Sequence, residues 1–249
     1  NLSIDQKMPG AWFSYEMSGT QLMRRLVSQV SNISHQAIRQ GSVFEHNETK
    51  LIDAIEQVSN APIFINDDPS ININDLRAKA TILKKRHDIK YLIVDYLQLM
   101  PTSGSRNKNR EQEVSDISRG LKSIAKQLDI PVIALSQLSR GVESRSDKMP
   151  QLSDLRESGA IEQDADSILF LMRPEYYGMM EPVFVNQKEY DVRGLCLGIN
   201  GKNRHGKTAN FAMWFDGPIM DFRTHPNDAY IQVENKESIL ELGYDEKPF

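Results

Sequence analysis

Short apolar runs alternate with helix-period segments along most of this chain, and that alternation constrains the fold more than any other feature. Gly10–Ser14, Pro62–Asn66, Tyr91–Asp95, Pro131–Leu135 and Ser167–Leu171 each read as a buried strand. Between them lie amphipathic segments. Ser18 with Gln21 forms a capping box ahead of a helix whose apolar face is Leu22, Leu26 and Val30. Further helices are expected near Lys50–Val58 and over Asp75–His87, the latter with Leu76, Ala80 and Leu83 on one side. The clearest carries Val114, Ile117, Leu121, Ile124 and Leu128, spaced alternately by three and four. The polar stretches Thr102–Gln112 and Gly141–Gln151 are expected as loops. Gly194–Asn200 and Ala209–Phe215 read as a late strand pair around a short basic turn. Strands alternating with helices predict an α/β fold with a mainly parallel sheet covered by helices.

The chain's 249 residues suit one large domain and are short for two, so 1–249 reads as a single domain with a weakly patterned tail, 226–249, expected to pack loosely. Apolar residues make up 39% and charged residues 26%, a globular balance. No apolar run is long enough to span a bilayer, which argues against a membrane partner. Cys196 is the sole cysteine, so neither an intrachain disulfide nor a cysteine-based zinc site can form. With a net charge of −4, nucleic-acid binding must come from a local arrangement of basic groups and backbone amides.

Open α/β sheets bind ligands outside the carboxyl ends of their strands. Three strands here end in groups useful for nucleotide chemistry: Glu16, Asp95 and Gln137. Each alone has an ordinary explanation, because strand ends run into polar loops. Four apolar or aromatic residues and then Asp, as in Tyr91–Asp95, is the form of a Walker B strand, whose carboxylate holds magnesium on nucleotide phosphates, directly or through water. Glu16 is suited to polarising an attacking water. Gln137 is suited to hydrogen-bonding a γ-phosphate.

Gly201-Lys-Asn-Arg-His-Gly-Lys-Thr208 matches the letters of a phosphate-loop pattern. Such a loop must be followed by a helix whose N-terminus meets the phosphates. Ala209–Phe215 is rich in aromatics and reads as a strand. The motif also follows the Walker B strand instead of preceding it. A hairpin turn with exposed cations is the expectation.

Several segments together resemble the DnaB-type replicative DNA helicases: Phe13–Ser18, Val94–Leu99, Asn109–Val114, Val132–Arg140 and the long, specific Leu152–Asp166. The resemblance runs to about residue 223. It implies the C-terminal RecA-like ATPase domain of an ATP- and Mg2+-dependent helicase, working as a homo-hexamer on single-stranded DNA, with primase and a helicase loader as partners and a cytoplasmic, nucleoid-associated location. It assigns Glu16 as catalytic glutamate, Asp95 as Walker B aspartate and Gln137 as γ-phosphate sensor. Lys202 and Arg204 match a basic hairpin reaching the neighbouring subunit's nucleotide, Arg204 as an arginine finger and Lys202 as a second γ-phosphate contact. Arg156, Glu157 and Gly159 match a channel loop that contacts single-stranded DNA; Glu157, with the wrong charge for phosphate, would contribute its main chain. The basic run Arg106–Arg110 is open to two readings, a channel-facing loop or a solvated charge run.

The chain departs from the family pattern at its front. The Walker A strand, loop and helix expected before the Glu16 strand are not in the sequence, so this piece alone is expected to bind nucleotide poorly. The remaining alternatives are a non-catalytic DNA-binding or oligomerisation fragment and another RecA-like ATPase, such as a recombination-associated one.

Overall fold

A computed structural model describes residues 1–102, 109–155 and 159–228. The chain enters through β1 (Gly10–Ser14), α1 (Gly19–Ser31), α2 (His35–Gln40), α3 (Glu48–Ser59), β2 (Ile63–Asn66), α4 (Ile73–His87) and β3 (Tyr91–Asp95). It continues through α5 (Arg110–Leu128), β4 (Val132–Ala134), the short α6 (Gly141–Ser144) and α7 (Gly159–Asp164), then β5 (Ser167–Met172). The last part is dominated by strands: β6 (Val183–Val185), β7 (Lys188–Tyr190), β8 (Leu195–Asn203), β9 (Asn210–Asp216) and β10 (Asp221–Thr224).

The first four strands form one parallel sheet in the order β2-β1-β3-β4. Ala11 and Phe13 of β1 and Leu92 and Val94 of β3 pack with Leu76 and Ala80 of α4 and the apolar stripe of α5. Strands with apolar residues on nearly every position suit such a sheet, because helices cover its faces. A second cluster joins α1 and α3 around Val27, Ala54 and Val58, with Ile63 of β2 against it. The crossover helices are what make this sheet parallel. Between β5 and β10 no α-helix intervenes, and the chain returns through turns. The later strands therefore build an antiparallel sheet, β10-β9-β8-β5, in which Ser167–Met172 pairs with β8.

Local signals located most elements. The Ser18–Gln21 capping box is present in full. One boundary is corrected: Arg110–Gln112, read as loop, is the first turn of α5. Asn109 accepts from the Gln112 amide, and the Gln112 side chain caps the Asn109 amide in return. This turn carries no apolar residue, so periodicity does not mark it. The hairpin β6–β7, β10 and α2 have no counterpart in the sequence reading, and the stretch Gly141–Gln151, read as loop, opens with the one-turn helix α6, too short to show a period. Of the tail, Pro226–Asp228 form a short turn and the remainder lies outside the described residues.

Candidate nucleotide site and nucleic-acid contact

The parallel register brings two of the three strand-end groups together. Ser14 on β1 pairs with Asp95 on β3, and the Tyr15 amide donates to the Asp95 carbonyl at 2.7 Å. Glu16 lies one residue farther on, exposed. The Asp95 carboxyl is pushed above its ordinary range, first by burial and then by the charge of Glu16, with Arg25 opposing. Neither carboxylate accepts a hydrogen bond from a described residue. Two neighbouring carboxylates, one half-buried and both without a protein donor among the described residues, fit a bound magnesium ion held chiefly by Asp95. Among the described residues no cluster of three or more metal-ligating side chains exists, so a metal here would complete its shell with phosphate or water oxygens.

Gln137 lies just past β4, exposed. A residue not singled out in the sequence, Gln98, fixes its backbone. The Gln98 side-chain amide accepts from the Gln137 N–H at 3.2 Å and donates to the Gln137 carbonyl at 3.1 Å and to Ser136 Oγ at 2.9 Å. Arg110 donates in turn to the Gln98 carbonyl and to Glu113 at 2.7 Å. The Leu97 amide donates to the Leu135 carbonyl at 3.1 Å. The ends of β1, β3 and β4 are thus bonded side to side beyond the strands themselves. A cleft of about 600 Å3 opens here, lined by Gln98, Arg110, Gln137, Arg140 and Asp154. Glu16 and Asp95 do not line it, so the cleft belongs to the Gln137 side of the strand-end row.

Lys202 and Arg204 sit elsewhere. Lys202 lies at the end of β8, and Arg204 begins the turn that leads to β9. Arg204 donates to Asp166 Oδ1 at 3.1 Å and to the Gln163 carbonyl at 2.9 Å, while its amide donates to the Asp166 carbonyl at 2.8 Å. Lys202 donates to the Glu162 carbonyl. Both cations therefore crowd the carbonyl end of α7, where the helix dipole favours positive charge. None of these bonds goes to Glu16, Asp95 or Gln137 of the same chain. Lys122 also donates to Asp166 and, with Arg204 and His205, holds its carboxyl below the usual range against a smaller effect of burial.

Gly201–Thr208 spans the end of β8 and the β8–β9 turn, as its aromatic sequel implied, and β8 pairs antiparallel with β9. The element that follows it is a strand and not a helix. Lys207 is exposed at the strand entry. In the full-length protein, Lys207→Ala should leave nucleotide affinity within about twofold, since an exposed charge in water contributes little; a large loss in a fluorescent-nucleotide titration would contradict the hairpin reading.

Arg156 and Glu157 lie outside the described residues. Gly159 opens α7 with its face free: a Cβ there would meet nothing within 4 Å. Arg106 and Lys108 of the basic run are likewise outside the described residues, and Arg110 is engaged with Gln98 and Glu113.

Residues 1–224 match the family model for the DnaB-like helicase C-terminal domain. The chain belongs to that family. This DnaB-family chain is 42% identical over 236 residues to the replicative DNA helicase DnaB of Geobacillus stearothermophilus, covering 95% of this chain and 47% of that protein. It is 45% identical over 205 residues to the replicative DNA helicase DnaC of Bacillus subtilis, covering 82% of this chain and 43% of that protein. The chain thus spans about half the length of the curated relatives it matches. Among solved structures, one described as an ATPase domain superposes with a TM-score of 0.79 at 35% identity, covering 89% of this chain and 76% of that one. A DnaB-like replicative helicase described with its interactions with primase gives 0.78 at 34% identity, covering 88% and 51%. The fold is the RecA-like domain of this family. Among the described residues no helix is long and apolar enough to cross a membrane.

Proposed function

We propose that this DnaB-family chain is the motor domain of a replicative DNA helicase, hydrolysing ATP between subunits of a hexameric ring to translocate on single-stranded DNA and unwind duplex. The observation that carries the proposal is the separation of the candidate residues into two groups. Glu16, Asp95 and Gln137 stand at the ends of adjacent parallel strands, while Lys202 and Arg204 bond to α7 and to none of the three. In this reading all five groups act on one triphosphate. Subunits arranged in a ring supply the second set from a neighbour.

In this reading Asp95 holds magnesium, which when bound neutralises charge developing on the phosphates. Glu16 orients and polarises the attacking water. Gln137, its backbone pinned by Gln98, hydrogen-bonds the γ-phosphate. Lys202 and Arg204 complete the neighbour's site. Arg156, Glu157 and Gly159 meet the phosphates of single-stranded DNA, with main-chain groups and one arginine tracking the backbone without reading bases. Primase and a helicase loader are the proposed protein partners.

The test is ATP turnover and forked-duplex unwinding by the full-length protein, with and without single-stranded DNA, compared with Asp95→Asn. Both activities should disappear in the variant. Its fold should not suffer. The raised Asp95 pKa means the folded state prefers the protonated carboxyl, so this group's contribution to stability is present below the ordinary aspartate pKa and lost as pH rises through the raised one. Asparagine removes that loss, and the variant should melt no lower than wild type at pH 7 without metal. Wild-type turnover in Asp95→Asn would sink the assignment.

A further inference from the structure

Asp166 stands between the segment read as contacting DNA and the hairpin read as contacting ATP. Gly159 and Asp164 bound α7, roughly 9 Å of helix at the usual rise. Its end and the link beyond it are braced on α5: Ser118 Oγ donates to Asp164 at 2.7 Å, and Lys122 donates to Asp166 Oδ2. The other Asp166 oxygen receives the Arg204 guanidinium, and the Gln163 carbonyl receives its second nitrogen. A guanidinium has five N–H donors, so two such bonds orient it and leave the others for a phosphate. The Asp166 main chain holds the same hairpin, through its carbonyl and the Arg204 amide at 2.8 Å. Arg204 has no other carboxylate partner among the described residues.

We infer that Asp166 is a positioning residue that, through α7, couples single-stranded DNA at Gly159 to the set of the Arg204 guanidinium of the same subunit. The inference rests on the readings of Gly159 as a DNA contact and of Arg204 as a finger acting on the neighbour. A shift of the Gly159 end moves the Gln163 carbonyl within α7 and, through the two-residue link that follows the helix, the Asp166 carboxylate. Arg204, held by both, changes its aim with them. DNA on one subunit thereby reaches ATP bound at the next interface without a separate relay.

The experiment compares full-length wild type with Asp166→Asn, which keeps side-chain size and removes the charge, and with Asp166→Ser as a second variant. The readout is the ratio of ATP turnover with single-stranded DNA to turnover without it. That ratio should fall by about fivefold or more, the lower end of ordinary site-to-site coupling, while single-stranded DNA affinity stays within about twofold. Asp166→Glu, retaining the charge, should recover much of the ratio. A merely structural role for Asp166 would lower both turnovers alike and leave the ratio at the wild-type value, which overturns the inference. Arg204→Ala in parallel separates the two ideas. If Arg204→Ala is inactive and Asp166→Asn keeps the wild-type ratio, only the coupling is lost. If Arg204→Ala rings hydrolyse ATP normally, the finger reading itself fails and the coupling with it.

Discussion

Arg204→Ala should cost the full-length protein a factor on the order of 10³–10⁵ in ATP turnover, the range a transition-state arginine supplied from a neighbour is worth in related chemistry. The guanidinium is about half exposed (44%) and already aimed by Asp166 and the Gln163 carbonyl, so little order is lost when it meets a phosphate. Nucleotide affinity should change far less than turnover, because the effect acts on charge that develops during transfer. Arg204→Lys should rescue poorly: lysine presents a point charge and cannot reproduce the planar fork held between Asp166 and Gln163. Mixing is the decisive measurement. Arg204→Ala subunits mixed with Glu16→Ala subunits, each inactive alone, should recover part of the activity, since some interfaces then join an intact Glu16 to an intact Arg204 from the neighbour. No recovery in that mixture, or full activity in rings made only of the Arg204 variant, would exclude action on a neighbour.

Glu16→Ala should abolish single-stranded-DNA-stimulated hydrolysis while ATP and magnesium still bind. Positioned general acid–base groups contribute roughly 10²–10⁴ in rate. Glu16 is exposed just past β1, beside Asp95, whose carboxyl it raises by its charge, and no described residue occupies its carboxylate. Glu16→Gln keeps the shape and loses the basic oxygen, so it should fail almost as badly. Single-turnover hydrolysis in preformed rings isolates this step from nucleotide binding. Wild-type single-turnover rates in either variant would remove Glu16 from the chemistry.

These predictions lean unequally on sequence and on structure. The parallel strands were legible because their apolar runs and crossover helices are local patterns, and so was the cap at Ser18 with its partner three residues on, whereas the same pairing at Asn109 was passed over inside a stretch read as loop. The places of Glu16, Asp95 and Gln137 at or just past strand ends were legible because those strands could be read, and their chemical roles remain proposals. The false phosphate loop could be dismissed from its aromatic sequel, and the β8–β9 pairing bears that out. Family membership, confirmed over residues 1–224, rested on long segments of this kind. Only the tertiary structure decided the rest. Gln98 meets Gln137 across 39 positions and Asp166 meets Arg204 across 38, and Ser167–Met172 turns out of the parallel series to pair with β8. Hydrogen bonds that close such long loops leave no period or spacing in the chain, because their geometry is set by how the sheets and helices pack and not by neighbours in sequence.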